Sequence, residues 1–146
     1  MSEIKEFVIR CRAIIVYDGK LLVVKHSEND KHFALPGGRL ELGEDIKDCM
    51  SRELVEELGI KPEIGKLLYV HNFLDGKKHS VEFFFEIKNG ADYLKIGDVE
   101  RTHAYEICEM LWIGATHDLH LLPAQVFQDF KTDQIPGATK FIRGSA

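Results

Sequence analysis

Residues Gly38 to Ile60 read GRLELGEDIKDCMSRELVEELGI, and this stretch decides the fold. Asp45 to Leu58 has helical character. Asp45 and Asp48 suit the start of a helix, and Gly59 suits the residue just past its end. Met50, Leu54 and Leu58 recur every four residues and should face a core. Glu53, Glu56 and Glu57 stand at i, i+3 and i+4, so three carboxylates share one helix face. Like charges at that spacing repel by roughly a few tenths of a kcal/mol per pair, and a purely structural helix gains nothing from them. A hard divalent cation, Mg²⁺ or Mn²⁺, turns the repulsion into attraction, because such ions prefer carboxylate oxygens. The same ions accept phosphate oxygens and acidify water, which suits hydrolysis at phosphorus. Arg52 beside the triplet carries a planar fork that can orient one or two of the carboxylates. Gly37 and Gly38 permit a tight turn and a close backbone approach to metal or phosphate. Spacing alone leaves the plainer alternative open, since short motifs match by chance and glutamate pairs on solvated helices are common.

Working outward, Phe7 to Tyr17 is rich in β-branched and aromatic residues and reads as a strand. Asp18-Gly19 is a hairpin signal, with Lys20 to His26 as the return strand. Ser27 to His32 reads as a polar loop, and Pro36-Gly37-Gly38 as further punctuation. Beyond the helix, strands are expected at Ile64 to Phe73 and His79 to Lys88, joined by the turn Asp75-Gly76-Lys77-Lys78. Asn89 to Thr102 is more polar and reads as a surface loop. Ala104 to Ile113 contains another strand. Pro123 to Lys131 reads as a short helix with Pro123 near its first turn and Val126, Phe127 and Phe130 on its inner face. After Ile135 the sequence has no clear pattern. The class is α/β or α+β with a mixed sheet, in one domain over residues 1–146.

With 146 residues the chain fits one domain with a core of its own. Its 45% hydrophobic and 29% charged content is that of an ordinary soluble protein. Apolar runs are far too short to span a bilayer, and the first residues lack a secretory pattern, so the default location is the cytoplasm. Cys11, Cys49 and Cys108 are odd in number and form no Cys-x-x-Cys pair. This points to reduced, mostly buried thiols and away from a disulfide framework or zinc site. The net charge is −5, and residues 38–60 hold seven acids against three bases. A protein that binds nucleic acid polymers shows a basic stripe instead. An acidic cluster that handles phosphate needs a divalent cation between the two.

The stretch as a whole reads Gly38, five residues, Glu44, seven residues, Arg52-Glu53-Leu54, one residue, Glu56-Glu57, one residue, Gly59-Ile60. It resembles the Nudix box at every fixed position, with Leu54 and Ile60 in the bulky aliphatic slots. The preceding Leu35-Pro36-Gly37-Gly38, with Glu41 and Gly43, resembles the usual lead-in. The box covers 23 of the 146 residues, and the order of strands and helices extends the resemblance over nearly the whole chain. The resemblance implies an α/β/α sandwich with a mixed β-sheet and hydrolysis of nucleoside diphosphates linked to another moiety, with Mg²⁺ or Mn²⁺. By position it makes Glu56 and Glu57 the principal metal ligands and Glu53 a further ligand or the general base. It adds the carbonyl of Gly37 to the metal shell and assigns Arg52 and Glu44 to hold the carboxylates. Many members take one more carboxylate from later in the chain. Here the candidates are Glu100, Glu106 and Glu109, with Glu106 favoured.

The substrate is less legible. Some subfamilies carry a proline (ADP-ribose hydrolases) or a tyrosine (dinucleoside polyphosphate hydrolases) shortly after the box. Leu74 to Lys78 has neither. Elimination leaves a MutT-like (d)NTP pyrophosphohydrolase as the leading expectation, with an ADP-ribose or nucleotide-sugar pyrophosphatase as the alternative. Phe33 or Phe73 is a candidate to stack on a base, and Arg39, Lys77 or Lys78 to contact phosphate. Core packing and solvated surface positions compete with those roles. His117 and His120, at i and i+3, lack a third ligand at zinc spacing and read as polar residues around a turn. No nucleophile-elbow motif is present. A non-catalytic nucleotide sensor is the competing class, although such domains often lose a box glutamate and none is lost here. Hydrolysis should prefer alkaline pH, because a deprotonated water or base is required. The partner is a small nucleotide-like phosphate, and the oligomeric state, a homodimer included, is left open.

Overall fold

The computed structural model describes residues 3–98 and 107–145. Eight strands and two α-helices are present among them. β1 (Glu6–Ile14), β2 (Val16–Tyr17), β3 (Lys20–Lys25) and β4 (Gly37–Arg39) precede α1 (Ile46–Leu58). β5 (Ile64–Asp75), β6 (Lys78–Ile87), a 3₁₀ segment (Gly90–Asp98), β7 (Glu109–Ile113), α2 (Ala124–Lys131) and β8 (Lys140–Ser145) follow. One sheet has the order β4-β1-β6-β5-β8 and the other β2-β3-β7. The first is mixed: β1 runs parallel to β6 and β5 parallel to β8, while β4 and β5 pair antiparallel with β1 and β6.

Strand alternation loads both faces of the sheets. Cys11, Ala13, Leu22, Phe85 and Ile87 pack with Cys49, Met50, Leu54 and Leu58 of α1. Leu21, Val23, Tyr69, Phe84 and Ile113 pack on the other face with Val126 and Phe127 of α2. This is the expected α/β/α sandwich. Met50, Leu54 and Leu58 are fully buried, and truncating any one to Ala should cost roughly 2–5 kcal/mol. Asp45 caps α1 by accepting from the Lys47 N–H at 2.8 Å. Gly59 ends it at φ 78°, its N–H donating to the carbonyls of Leu54 and Val55.

Several expectations need correction. Phe7 to Tyr17 is not one strand: the chain breaks at Ile15 and passes from the larger sheet to the smaller, the Ile15 carbonyl accepting from Leu22. Gly37-Gly38 is not mere punctuation but strand β4, pressed so close to β1 that a Cβ on Gly37 would collide with the Cys11 carbonyl. The first part of the expected loop from Asn89 is a 3₁₀ segment that buries Tyr93 and Ile96. Residues three apart eclipse in that geometry, so two apolar side chains suffice to seat it. The Tyr93 hydroxyl also donates to the Ile60 carbonyl at 2.9 Å. The tail thought patternless forms β8, which adds to the sheet edge beside β5 with Phe141 exposed. The second helix starts one residue later than expected, at Ala124, with Pro123 as its N-cap beside the first turn. Cys11 and Cys49 are buried side by side, with sulfurs 2.8 Å apart, while Cys108 is exposed.

Candidate active site

The box glutamates meet β4 where α1 crosses it. Glu53 and Glu57 are buried at 8% and 2% exposure, and both line a cavity of about 510 Å³ with Gly37, Gly38, Arg10 and Arg12. The two strand glycines leave room for different neighbours. Gly37 has φ 141°, and a Cβ on Gly38 would fall within 2.6 Å of all three atoms of the Glu53 carboxylate. The Gly37 N–H donates to Glu57 Oε2 at 3.3 Å. Glu56 lies closer to solvent and is drawn to Arg52.

Arg52 is the hub of the acidic face. Its Nε and Nη2 donate to the two oxygens of Glu44 at 2.7 and 3.1 Å. Its Nη1 donates to Glu53 at 3.0 Å and Glu56 at 3.2 Å, and Nη2 also reaches the Arg39 carbonyl. The hydrogen bond from Arg52 holds the Glu44 carboxyl below its usual range, and the same contact raises Arg52 further.

The donor set is all oxygen, which fits Mg²⁺ or Mn²⁺ and not a soft metal. Among the described residues, no three side chains from His, Cys, Asp and Glu converge on one point. The groups here that could hold such an ion are the carboxylates of Glu53, Glu56 and Glu57 and the Gly37 carbonyl, and Mg²⁺ commonly adds waters and phosphate oxygens to such donors. That carbonyl already accepts from Arg12 Nη1 at 3.3 Å.

A second cavity, about 410 Å³, opens beside the first. Its lining includes Arg10, Arg12, His71, Phe73, Glu82 and Phe84. Arg10 and Arg12 line both cavities. Arg12 is bound to Glu82 at 3.1 Å, and Glu82 to His71 at 2.9 Å. Burial and the neighbouring Arg12 lower the Arg10 pKa, and Arg10 has no ion-pair partner among the described residues.

Of the residues expected from sequence, Gly37, Glu44, Arg52, Glu53, Glu56 and Glu57 come together here. Phe73 lines the 410 Å³ cavity beside them, whereas Phe33 packs in the α2 core with Lys25 over its ring. Arg39 lines the acidic cavity but is exposed and paired with Glu6 at 2.8 Å. Lys78 lines the second cavity. Glu109 opens β7 opposite Lys25 and is not among the lining residues of either cavity. Glu100 and Glu106 lie outside the described residues. His117 Nδ1 accepts from the Gly114 N–H, closing the expected turn. Arg10, Arg12, His71 and Glu82 were not anticipated. The available signal was a charged residue interrupting an apolar strand, as Arg12 and Glu82 do.

Known proteins resemble this chain in both sequence and fold. An ADP-ribose pyrophosphatase of Methanocaldococcus jannaschii is 37% identical over 91 residues, which is 58% of this chain. The match spans only about half, 53%, of that relative's own length. A MutT-like protein of Streptomyces ambofaciens is 29% identical over 130 residues, 89% of this chain and 77% of the relative. The crystal structure of a MutT NUDIX hydrolase from Burkholderia pseudomallei superposes with a TM-score of 0.68 at 22% identity, covering 90% of this chain and all of that one. No helix among the described residues is long and apolar enough to cross a membrane. The NUDIX domain model matches residues 9–130, so the glutamates on α1 and the glycines of β4 sit inside the matched span, and the chain belongs to the Nudix family.

Proposed function

We propose that the chain hydrolyses a phosphoanhydride bond in a nucleoside diphosphate linked to another moiety, with an ADP-ribose-like or other nucleotide-sugar substrate as the first choice. The observation that carries this reading is that Arg10 and Arg12 line both cavities. A diphosphate at that junction would lie between the carboxylates of Glu53 and Glu57 on one side and an aromatic, basic recess for the organic group on the other. Arg10, with no ion-pair partner among the described residues, is a ready anion contact. When bound, a divalent cation supplies charge neutralisation at the phosphates and acidifies water. Arg52 orients Glu44, Glu53 and Glu56. The Gly37 N–H fixes Glu57, and Glu53 or its neighbour takes the proton from the attacking water. The 37% identity to an ADP-ribose pyrophosphatase supports the nucleotide-sugar choice. The MutT-like relative, matched over more of this chain, favours a (d)NTP as the second reading.

The test is a panel of ADP-ribose, nucleotide sugars, NTPs, dNTPs and dinucleoside polyphosphates with Mg²⁺ or Mn²⁺, products being resolved by chromatography. ADP-ribose and water should yield AMP and ribose 5-phosphate. Preferred release of pyrophosphate from a triphosphate would move the assignment to the second reading. Tight binding without turnover across the panel would replace the enzyme with a sensor.

A further inference from the structure

The buried ionic network of the second cavity ends on an imidazole with one nitrogen to spare. His71 on β5 is only 3% exposed, and its Nδ1 lies 2.9 Å from Glu82 Oε1. The other oxygen of Glu82 accepts from Arg12 Nε. Burial pushes the Glu82 carboxyl up, but the hydrogen bond from His71 and the adjacent Arg12 guanidinium outweigh it and hold the pKa at about 2. An ionised carboxylate only accepts, so His71 Nδ1 must carry the hydrogen. In the neutral imidazole Nε2 is then a lone pair.

That lone pair has no hydrogen-bond partner among the described residues. It faces Gly144 on β8, where a Cβ would sit 2.5 Å away. The missing side chain keeps the ring edge clear. Beside it lies a recess of about 260 Å³ lined in part by Gln125, Arg143 and Gly144. His71, Phe73 and Leu122 line both this recess and the 410 Å³ cavity, so the two adjoin across the His71 ring. At the wall shared by the two cavities, Nε2 is open to a donor carried by a ligand.

We propose that His71 is a specificity-determining residue: its Nε2 accepts a hydrogen bond from a hydroxyl or amino group on the organic moiety of the substrate, which reaches past Phe73 into the recess beside Gly144. This rests on the reading of the 410 Å³ cavity as the seat of that moiety. Arg12 and Glu82 act through His71 by fixing its tautomer. An analogue lacking the donor would leave Nε2 unpaired, a stronger basis for rejection than a change in apolar size.

The test is NMR on the full chain with ¹⁵N-labelled histidine in Mg²⁺, with methylene-bridged analogues of ADP-ribose and ATP that are not hydrolysed. In the free protein at neutral pH, His71 should carry its hydrogen on Nδ1. Saturating analogue should shift the Nε2 resonance toward the hydrogen-bonded range. A hydrogen on Nε2 in the free protein would overturn the proposal. So would an Nε2 signal that stays put while the amides of Phe73 and Phe84 move, although the wider functional reading would then survive. If no nucleotide moves any amide around the cavity, both fall. In turnover, His71→Phe should raise KM about tenfold or more with kcat within about threefold, since a lost hydrogen bond to substrate is worth about a factor of ten. A loss confined to kcat would mark His71 as structural and overturn the assignment.

Discussion

Arg52 grips Glu44 with two prongs, Nε to Oε2 at 2.7 Å and Nη2 to Oε1 at 3.1 Å, and so ties the turn before α1 to the helix face that carries the glutamates. Its third nitrogen holds Glu53 and Glu56. A lysine ammonium is a point donor and cannot reproduce a fork shared among three carboxylates. Arg52→Lys should therefore fall nearly as far as Arg52→Ala, both losing about 10–100-fold in kcat/KM and in apparent Mg²⁺ affinity. Titrating activity against Mg²⁺ checks this, and wild-type metal affinity in Arg52→Lys would show that the fork positions nothing.

Glu57 is the most enclosed of the box carboxylates, 2% exposed, with Glu53 on the same wall. Without metal the two repel, and in the proposed metal site they would hold the ion together. Glu57→Gln should leave metal-free stability unchanged or raised, yet remove most of the stabilisation by Mg²⁺. For the wild type that stabilisation is about 2.7 kcal/mol at a metal concentration a hundredfold above Kd. Calorimetry in EDTA and in Mg²⁺ separates the terms. An equal Mg²⁺ shift in wild type and variant would take Glu57 out of the metal shell.

The helix and its acidic face were legible because their signals are local. The Asp45 cap, the Gly59 stop and the Met50-Leu54-Leu58 spacing all act within one or two turns, and each appears in the structure as read. The recess for the organic group was not legible. Glu82 shows in sequence as a charge among Val81, Phe83, Phe84 and Phe85, but its partners are chosen by sheet register. β6 sets it opposite Arg10 on β1 and His71 on β5, and Arg12 lies 70 residues away in the chain. β8 was missed for the same reason: a short edge strand with Phe141 facing outward shows no buried alternation, and only pairing with β5 defines it.

The two adjacent glycines of β4 should fail in different ways. A methyl on Gly38 meets only the far end of the Glu53 side chain, which can swing aside. Gly38→Ala should keep stability within about 1 kcal/mol while lowering activity about tenfold or more by displacing that carboxylate. A methyl on Gly37 meets the Cys11 backbone at a φ of 141°, where neither side can yield. Gly37→Ala should destabilise by about 2 kcal/mol or more and widen the β1–β4 spacing. Denaturant midpoints measured beside kcat/KM for both variants test the contrast. Equal destabilisation of the two would refute it.

Glu82 gives the fold an acid-sensitive joint. Its carboxyl is at about 2 in the folded protein against an ordinary value of 4.5, because the partners His71 and Arg12 overcome the upward push of burial. A carboxyl depressed in the folded state contributes stability that is fully present above its unfolded value and lost as pH falls through its folded value. The window is therefore from about 4.5 down to about 2. The shift corresponds to a contribution on the order of 3 kcal/mol. Glu82→Gln, which keeps the shape and removes the charge, should lower stability at neutral pH and flatten its fall across that window. Because β6 joins β1 to β5, the loss should show as earlier unfolding of the five-stranded sheet and not as local fraying. Urea midpoints for wild type and variant from pH 7 to pH 2 measure the difference directly. Parallel pH profiles would mean that Glu82 does not carry the acid sensitivity of the fold.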